Sequence, residues 1–238
     1  MSSGDPVIAA LVDAASDPYR AAGLFAWHFA RAKLSRDPAF AAILRRGLLA
    51  DSARILDLGC GQGLLASWLL AAQAARLAGK WPADWPPPPA PVELHGVEIN
   101  PREVARARAA LGGQARVLQG DIRHVDYGSV DAIVILDVLH YTDRASQEAV
   151  LERARAALGP SGVLLLRVGD AEGGVGFGLS KLADRIVALI RRHTLAPLTC
   201  RPAREWHSLL TRLGFLTEAL PMSQGTPFAN VLLVGRVP

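Results

Sequence analysis

The segment Ile55-Leu56-Asp57-Leu58-Gly59-Cys60-Gly61-Gln62-Gly63 constrains the fold more than any other part of the chain. A short apolar run ends in an acidic residue. Three glycines follow at alternate positions, and an Ala/Leu-rich stretch begins at Leu64. Glycine lets a backbone turn sharply and lets a ligand approach it closely. A helix that starts directly afterwards offers free N–H groups to that ligand. The same alternation continues down the chain. Residues 54–58, 92–99, 115–119, 130–136 and 162–168 read as strands, and 64–77, 101–111 and 144–158 as helices, the last closed by Gly159-Pro160. Strands alternating with helices predict βαβ units and a parallel sheet. Residues 215–220 and 230–237 read as two final strands, an antiparallel pair at the sheet edge, joined by a polar loop.

The glycine spacing separates cofactor classes. A dinucleotide fingerprint needs G-x-G-x-x-G, and here the third position falls on Leu64. A Walker loop needs Gly-Lys-Ser/Thr, and no lysine stands near. Asp57 would repel a pyrophosphate and suits a cationic ligand. Glu98 ends the second strand, where a carboxylate accepts ribose hydroxyls. After the third strand comes Gly120-Asp121-Ile122, an acid to accept from an exocyclic amine beside an apolar side chain to pack on a ring. The fourth strand runs into Leu136-Asp137-Val138-Leu139-His140-Tyr141. All four places are carboxyl ends of strands, where open α/β sheets bind ligands.

On these residues the sequence resembles the class I S-adenosylmethionine-dependent methyltransferases, across residues 53–168 with the tail strands extending the likeness. The run Leu56 to Gly63 matches that family's first motif. The resemblance implies an α/β fold: a seven-stranded, mostly parallel Rossmann-like sheet in the order 3-2-1-4-5-7-6, with strand 7 antiparallel. It implies a helical N-terminal cap over 1–50 and a cofactor-binding domain over 51–238. It implies S-adenosylmethionine as cofactor, with Gly59, Cys60 and Gly61 against its methionine end and Asp57 interacting there. Glu98 and Ile99 would serve the ribose, Asp121 and Ile122 the adenine, and Asp137 the far side of the site. The crossover from Gly59 to Glu98 is longer than the family usually has, and the proline-rich insert at 79–91 accounts for the excess. Glu93 is the other acid near this strand, but it precedes the apolar run and does not end it, so Glu98 is the expected ribose ligand.

Methyl transfer from a sulfonium is an in-line displacement, in which orientation supplies ~7–11 kcal/mol. A base matters only for a protonated acceptor, where it adds ~10²–10⁴-fold. His140 and Tyr141 are the catalytic candidates; the His140 imidazole either deprotonates a hydroxyl or packs. No Asn-Pro-Pro-Tyr stands at this strand end, which argues against amide and ring-amine acceptors. His28 and Tyr19 are read as acceptor contacts or as satisfied core residues. Arg167 either holds an acceptor carboxylate or pairs with Asp137 or Asp170. The expected acceptor is a small molecule, methylated at oxygen or an activated carbon. An RNA or protein methyltransferase and an idle cofactor-binding regulatory subunit are the alternatives.

The N-terminal 5–50 reads as helices and turns. Asp17-Pro18 and Asp37-Pro38 each pair an N-cap with a proline at the first helical position. Leu24, Phe25, His28, Phe29 and Ala32 recur at helical spacing. Trp81-Pro82-Ala83-Asp84-Trp85 and the prolines after it exclude a helix or a central strand; the segment is a surface loop pinned by two tryptophans, or a protein-binding one. A glycine-rich loop at 173–178 precedes an amphipathic helix at 179–193. That helix carries Lys181, Arg185, Arg191, Arg192 and His193, a solvated face or a dock for an acidic partner such as an acyl carrier protein bearing the acceptor.

The net charge is +4, but basic and acidic residues interleave, so nucleic acid is not the expected partner. The 2 cysteines make no disulfide framework and no zinc site, and no metal is expected. No apolar run reaches the ~18 residues of a membrane span, and the N-terminus lacks a signal pattern. A cytoplasmic protein is the expectation.

Overall fold

The computed structural model describes residues 5–91, 93–169, 199–222 and 230–238. The expected glycine-rich loop at 173–178, the helix at 179–193 and most of the loop between the last two strands lie outside these residues. Helices α1 (Pro6–Ser16), α2 (Leu24–Arg36) and α3 (Pro38–Arg45) come first. Then β1 (Arg54–Leu58), α4 (Leu64–Leu77), β2 (Glu93–Glu98), α5 (Pro101–Leu111), β3 (Arg116–Gln119) and β4 (Val130–Leu136) alternate. After them come α6 (Arg144–Ala157), β5 (Leu158–Gly169), α7 (Ala203–Arg212), β6 (Leu216–Pro221) and β7 (Asn230–Arg236).

The strands form one 7-stranded sheet in the order β3-β2-β1-β4-β5-β7-β6. Pairs among β1 to β5 are parallel, and β7 runs antiparallel to both β5 and β6. Side chains alternate across the sheet with period two. On one face Ile55, Val134 and Leu165 join Trp68 and Phe40 in a core shared by the N-terminal helices and α4. On the other, Leu56, Ile133 and Leu164 pack with Val150 of α6 and Trp206 of α7.

Three expectations are corrected. Asp17-Pro18 opens a 3-10 turn, Asp17–Ala22, and α2 starts after Gly23. The run Leu24, Phe25, His28 does not face the core: Leu24 is 71% and Phe25 53% exposed, and His28 is exposed beside the Trp27 ring. The buried stripe of α2 is Ala26, Ala30 and Leu34. Small side chains there bring the helix backbone close to the glycine loop, where the Gln62 amide donates to the Ala26 carbonyl at 2.9 Å. Gly159-Pro160 ends α6 but opens no loop. It forms a bulge inside β5: Val130 pairs with Leu158 and Ala132 with Val163, and Ser161 has φ +61°.

The Asp37-Pro38 signal is borne out by a capping contact. Asp37 caps α3 by accepting from the Ala39 amide at 3.0 Å, and Asp5, a cap not read from the sequence, does the same for α1. The proline-rich insert is pinned onto the body. Trp81 and Trp85 meet edge to face at 5.5 Å, Arg45 lies over Trp85, and Pro86 fills the space a Cβ on Gly47 would need.

The N-terminal layer is fastened to α4 by buried polar contacts. The Trp68 indole donates to the Phe40 carbonyl at 2.9 Å, and the Ser67 hydroxyl to the Ala15 carbonyl at 2.7 Å. Trp68→Phe leaves that buried carbonyl without its donor, a loss of about 1–3 kcal/mol. Urea unfolding should show a lower midpoint with an unchanged slope; an unchanged midpoint would mean the bond is not part of this junction.

Candidate functional site

The site is built on the carboxyl ends of β1, β2, β3 and β4. The glycine loop after β1 hangs on the end of β2: the Gly59 and Cys60 amides donate to the Val97 carbonyl at 2.8 and 3.0 Å. The Gly61 amide donates to Glu98 Oε2 at 3.0 Å, and the Asn100 amide to Glu98 Oε1 at 2.8 Å. Glu98 is 7% exposed and is therefore fixed in place by two backbone donors. Gly59 has φ +77°, and a Cβ there would lie 2.3 Å from Val138 of the β4 exit. Only glycine lets those two loops close on each other.

Asp57 is 9% exposed and accepts no hydrogen bond from the described protein groups. Burial, followed by the Glu98 carboxylate beside it, pushes its pKa up to about 7. Cys60 turns its thiol inward against Gly96, and burial raises it well above the ordinary thiol range. A buried acceptor with no donor next to a second carboxylate suits a positively charged group.

Asp121 and Ile122 follow β3 as expected. Asp121 carries a two-pronged ion pair with Arg123, at 2.6 Å and 3.0 Å, which holds its carboxyl below the usual carboxylate range. Ile122 is 7% exposed, while Ile99 is 54% exposed at the rim. Ile99 thus offers more free apolar surface to a ring than Ile122 does.

The β4 exit is held by charge. Asp137 has φ +59°, and its carboxylate accepts from Arg167 through Nε at 2.8 Å and through Nη2. Arg167 is 2% exposed and also donates through Nη1 to Asp37. Lys33 of α2 lies 2.9 Å from Asp37 and 3.5 Å from Asp137. Burial alone would push Asp137 up, but Arg167 and Lys33 hold it well below the usual carboxylate range. Burial works against the Arg167 charge, and Asp137 and Asp37 raise its pKa in return. Arg167 is therefore a structural partner of Asp137, not a free clamp for an acceptor carboxylate, and Asp170 lies outside the described residues.

His140 and Tyr141 stand on the 3-10 turn Leu139–Tyr141 just beyond, their rings 4.2 Å apart. His140 is half-buried and Tyr141 is 38% exposed. Tyr19 is 0% exposed and its hydroxyl donates to the Gln62 carbonyl at 2.9 Å, so it is a core residue, as its alternative reading had it. Sequence reasoning missed Lys33, Asp37, Val138 and Gln62 as parts of the site. Only Asp37 carried a signal, as a helix cap, and that signal says nothing of Arg167. Among the described residues no three His, Cys, Asp or Glu side chains gather as a metal site, and no helix is long and apolar enough to cross a membrane.

Comparison with known proteins agrees with this geometry. Residues 56–164 match the family model of a methyltransferase domain. The chain carries the class I, Rossmann-like methyltransferase fold, with the strand order and site layout set out above. Among solved structures, an O-methyltransferase family protein from Burkholderia thailandensis is 17% identical with a TM-score of 0.61, covering 92% of this chain and 61% of that one. The magnesium protoporphyrin IX methyltransferase of Synechocystis PCC 6803 is 15% identical with a TM-score of 0.58, covering 89% and 85%. In sequence, a carboxy-S-adenosyl-L-methionine synthase from Chromohalobacter salexigens is 38% identical over 130 residues, 50% of this chain and 43% of that protein. One from Psychrobacter arcticus is 27% identical over 118 residues, 48% and 40%. The chain thus spans less than half the length of these two relatives.

Arg167→Met strands the buried Asp37 carboxylate and the partly exposed Asp137 carboxylate at once. Breaking a buried pair this way costs about 3–5 kcal/mol, so the variant should lose most of its stability in urea unfolding. A near-native midpoint would show that Asp37 and Asp137 do not depend on the guanidinium.

Proposed function

We propose that the chain transfers a methyl group from S-adenosylmethionine to a small-molecule acceptor, at oxygen or an activated carbon. The observation that carries this reading is the N-terminal helical layer fastened over the strand ends. Tyr19 and Gln62 tie it to the glycine loop and the Arg167 network ties it to the β4 exit. A site roofed in this way suits a small acceptor better than an open basic groove, the form a nucleic-acid substrate requires.

The residues present fit the cofactor: Asp57 is a buried acceptor without a donor, and Glu98 is a fixed carboxylate at the end of β2. Gly59 and Gly61 would lie along the methionine end, Glu98 and Ile99 at the ribose, and Asp121 with Ile122 at the base. The bound sulfonium supplies an already activated methyl. The chain's part is alignment and the exclusion of water, which for a well-oriented pair is worth ~7–11 kcal/mol. His140, on the 3-10 turn just past β4, is the residue that would remove an acceptor hydroxyl's proton or aim its lone pair. Tyr141, exposed at the rim, would line the acceptor's approach.

The relatives named carboxy-S-adenosyl-L-methionine synthase support a second reading, in which the sulfonium compound is itself the substrate that is altered. Mass measurement of the adenosyl product separates the two. Methyl transfer leaves S-adenosylhomocysteine, and the second reading leaves a heavier sulfonium.

Calorimetry should show binding of S-adenosylmethionine and S-adenosylhomocysteine but not of NAD. Glu98→Ala should weaken that binding by about 1.5–3 kcal/mol, roughly 10- to 100-fold, without a matching loss of melting temperature. An unchanged dissociation constant would remove Glu98 from the cofactor site.

His140→Ala should lower turnover ~10²-fold or more for a hydroxyl acceptor while cofactor affinity barely moves. A folded variant that keeps full activity would transfer the role to Tyr141.

A further inference from the structure

The turn that carries His140 and Tyr141 is short, Leu139–Tyr141, yet its carbonyls are held from outside it. Leu139 is buried and roots the turn in the core on the α6 side of the sheet. The amide nitrogen of Gln147, on α6, stands 3.1 Å from the Leu139 carbonyl and 3.2 Å from the Thr142 carbonyl. The His140 carbonyl accepts from the Thr199 amide at 2.9 Å, and the Thr199 carbonyl accepts from the same Gln147 nitrogen at 2.8 Å. Gln147 is 0% exposed. This one buried side chain ties both ends of the turn to the segment that enters α7.

The Gln147 amide can face only one way. Its oxygen accepts from Arg201 Nε at 2.8 Å, and a guanidinium offers donors alone. The NH2 group must therefore point at the carbonyls. Arg201 is itself buried and is fixed by the Glu148 carboxylate at 2.8 Å and the Arg144 carbonyl at 3.0 Å. Glu148, Arg201 and Gln147 thus act in series on the backbone of the turn. Filling space does not require this, since an apolar side chain of the same size would pack as well. A buried polar network with every member satisfied specifies one arrangement where packing allows several.

We propose that Gln147 is a positioning residue for methyl transfer: by holding the Leu139, Thr142 and Thr199 carbonyls it fixes the direction in which His140 and Tyr141 present their rings to the acceptor. The proposal rests on the role given to His140 above. A displacement of about 1 Å costs an aligned reaction ~10²-fold, so a turn held at its carbonyls serves the reaction and a turn held by packing alone does not.

NMR reads the His140 ring directly. It lies 4.2 Å from the Tyr141 ring at an interplanar angle of 51°, so the phenol's ring current marks its protons. Proton–carbon spectra of the full chain, labelled at histidine and bound to S-adenosylhomocysteine, follow that mark. His140→Ala assigns the signal, and His28 of α2 and His95 of β2 serve as internal references. Gln147→Glu keeps an acceptor for Arg201 and removes the N–H donors. Gln147→Met keeps the volume and removes donor and acceptor together. In each folded variant the His140 signal should lose its ring-current shift, while His28, His95 and S-adenosylhomocysteine binding stay as in the wild type. Trp68→Phe weakens the N-terminal junction instead; it should lower the melting temperature and leave the His140 signal in place. An unmoved His140 signal in a folded Gln147 variant overturns the proposal, as does an equal shift in Trp68→Phe. If neither Gln147 variant folds, Arg201→Lys decides, because it withdraws the Nε donor that orients the amide, and an unmoved signal there overturns the proposal. A fully active His140→Ala overturns the role given to His140 without moving any of these signals, so the two failures are told apart.

Discussion

The buried guanidinium of Arg167 is the interaction on which the arrangement of this site depends. Taking an ion out of water costs several kcal/mol, and a buried pair repays that only with good geometry. Here the geometry is supplied by three separate parts of the chain. Asp137 comes from the β4 exit, Asp37 from the cap of α3, and Lys33 from α2 closes the circuit. None of these groups could be buried alone. Their mutual need forces the N-terminal helices onto the sheet's carboxyl edge and fixes where the chain leaves β4. That exit then sets Val138 against Gly59 and places His140 and Tyr141. A charge cluster thus determines both the glycine loop's shape and the direction of the catalytic candidates.

The two halves of the site are complementary in charge. At β4 and β5 the cluster is neutral and closed. At β1 and β2 Asp57 and Glu98 stay without a cation. The Glu98 carboxylate is already anchored, since the Gly61 and Asn100 amides donate to its two oxygens. Little reorganisation is then needed on binding, which is how a preorganised polar site gains its advantage.

The sheet was legible in the sequence because its signals are local. Apolar runs of strand length and glycines after β1 act within a few residues, and α4 spans Leu64–Leu77 where the Ala/Leu-rich stretch stands. The candidate carboxylates Asp57, Glu98, Asp121 and Asp137 were picked out for the same reason, since each lies at or just past the carboxyl end of a strand. The face of α2 was not. Leu24 and Phe25 look like core residues, yet the helix buries alanines because its neighbour is a backbone, the glycine loop, and not another side-chain layer. Periodicity reports which residues are apolar, not what shape they must meet. The β5 bulge was missed because Gly159-Pro160 stops a helix whether a loop or a strand follows. The partners of Arg167 were hidden by distance in the chain: Asp37 is separated from it by most of the fold, and its local role as a cap fully accounted for it.

The same contrast bears on how far likeness to other proteins reaches. Solved structures at 15–17% identity share this sheet, and a shared sheet hosts many chemistries. In this chain the N-terminal layer covers the carboxyl edge, and its contacts with the edge are polar and specific: Tyr19 to Gln62, Gln62 to Ala26, Lys33 and Asp37 to the β4–β5 exit. Substitutions at the exposed residues of that layer and the rim, such as Phe25, Ile99 and Tyr141, therefore cost the fold little. A change at Arg167 or Asp37 costs it more, because it withdraws the charge that keeps the cover closed. Residues the fold can spare and residues it cannot sit within a few positions of one another on the same elements, and burial is what divides them.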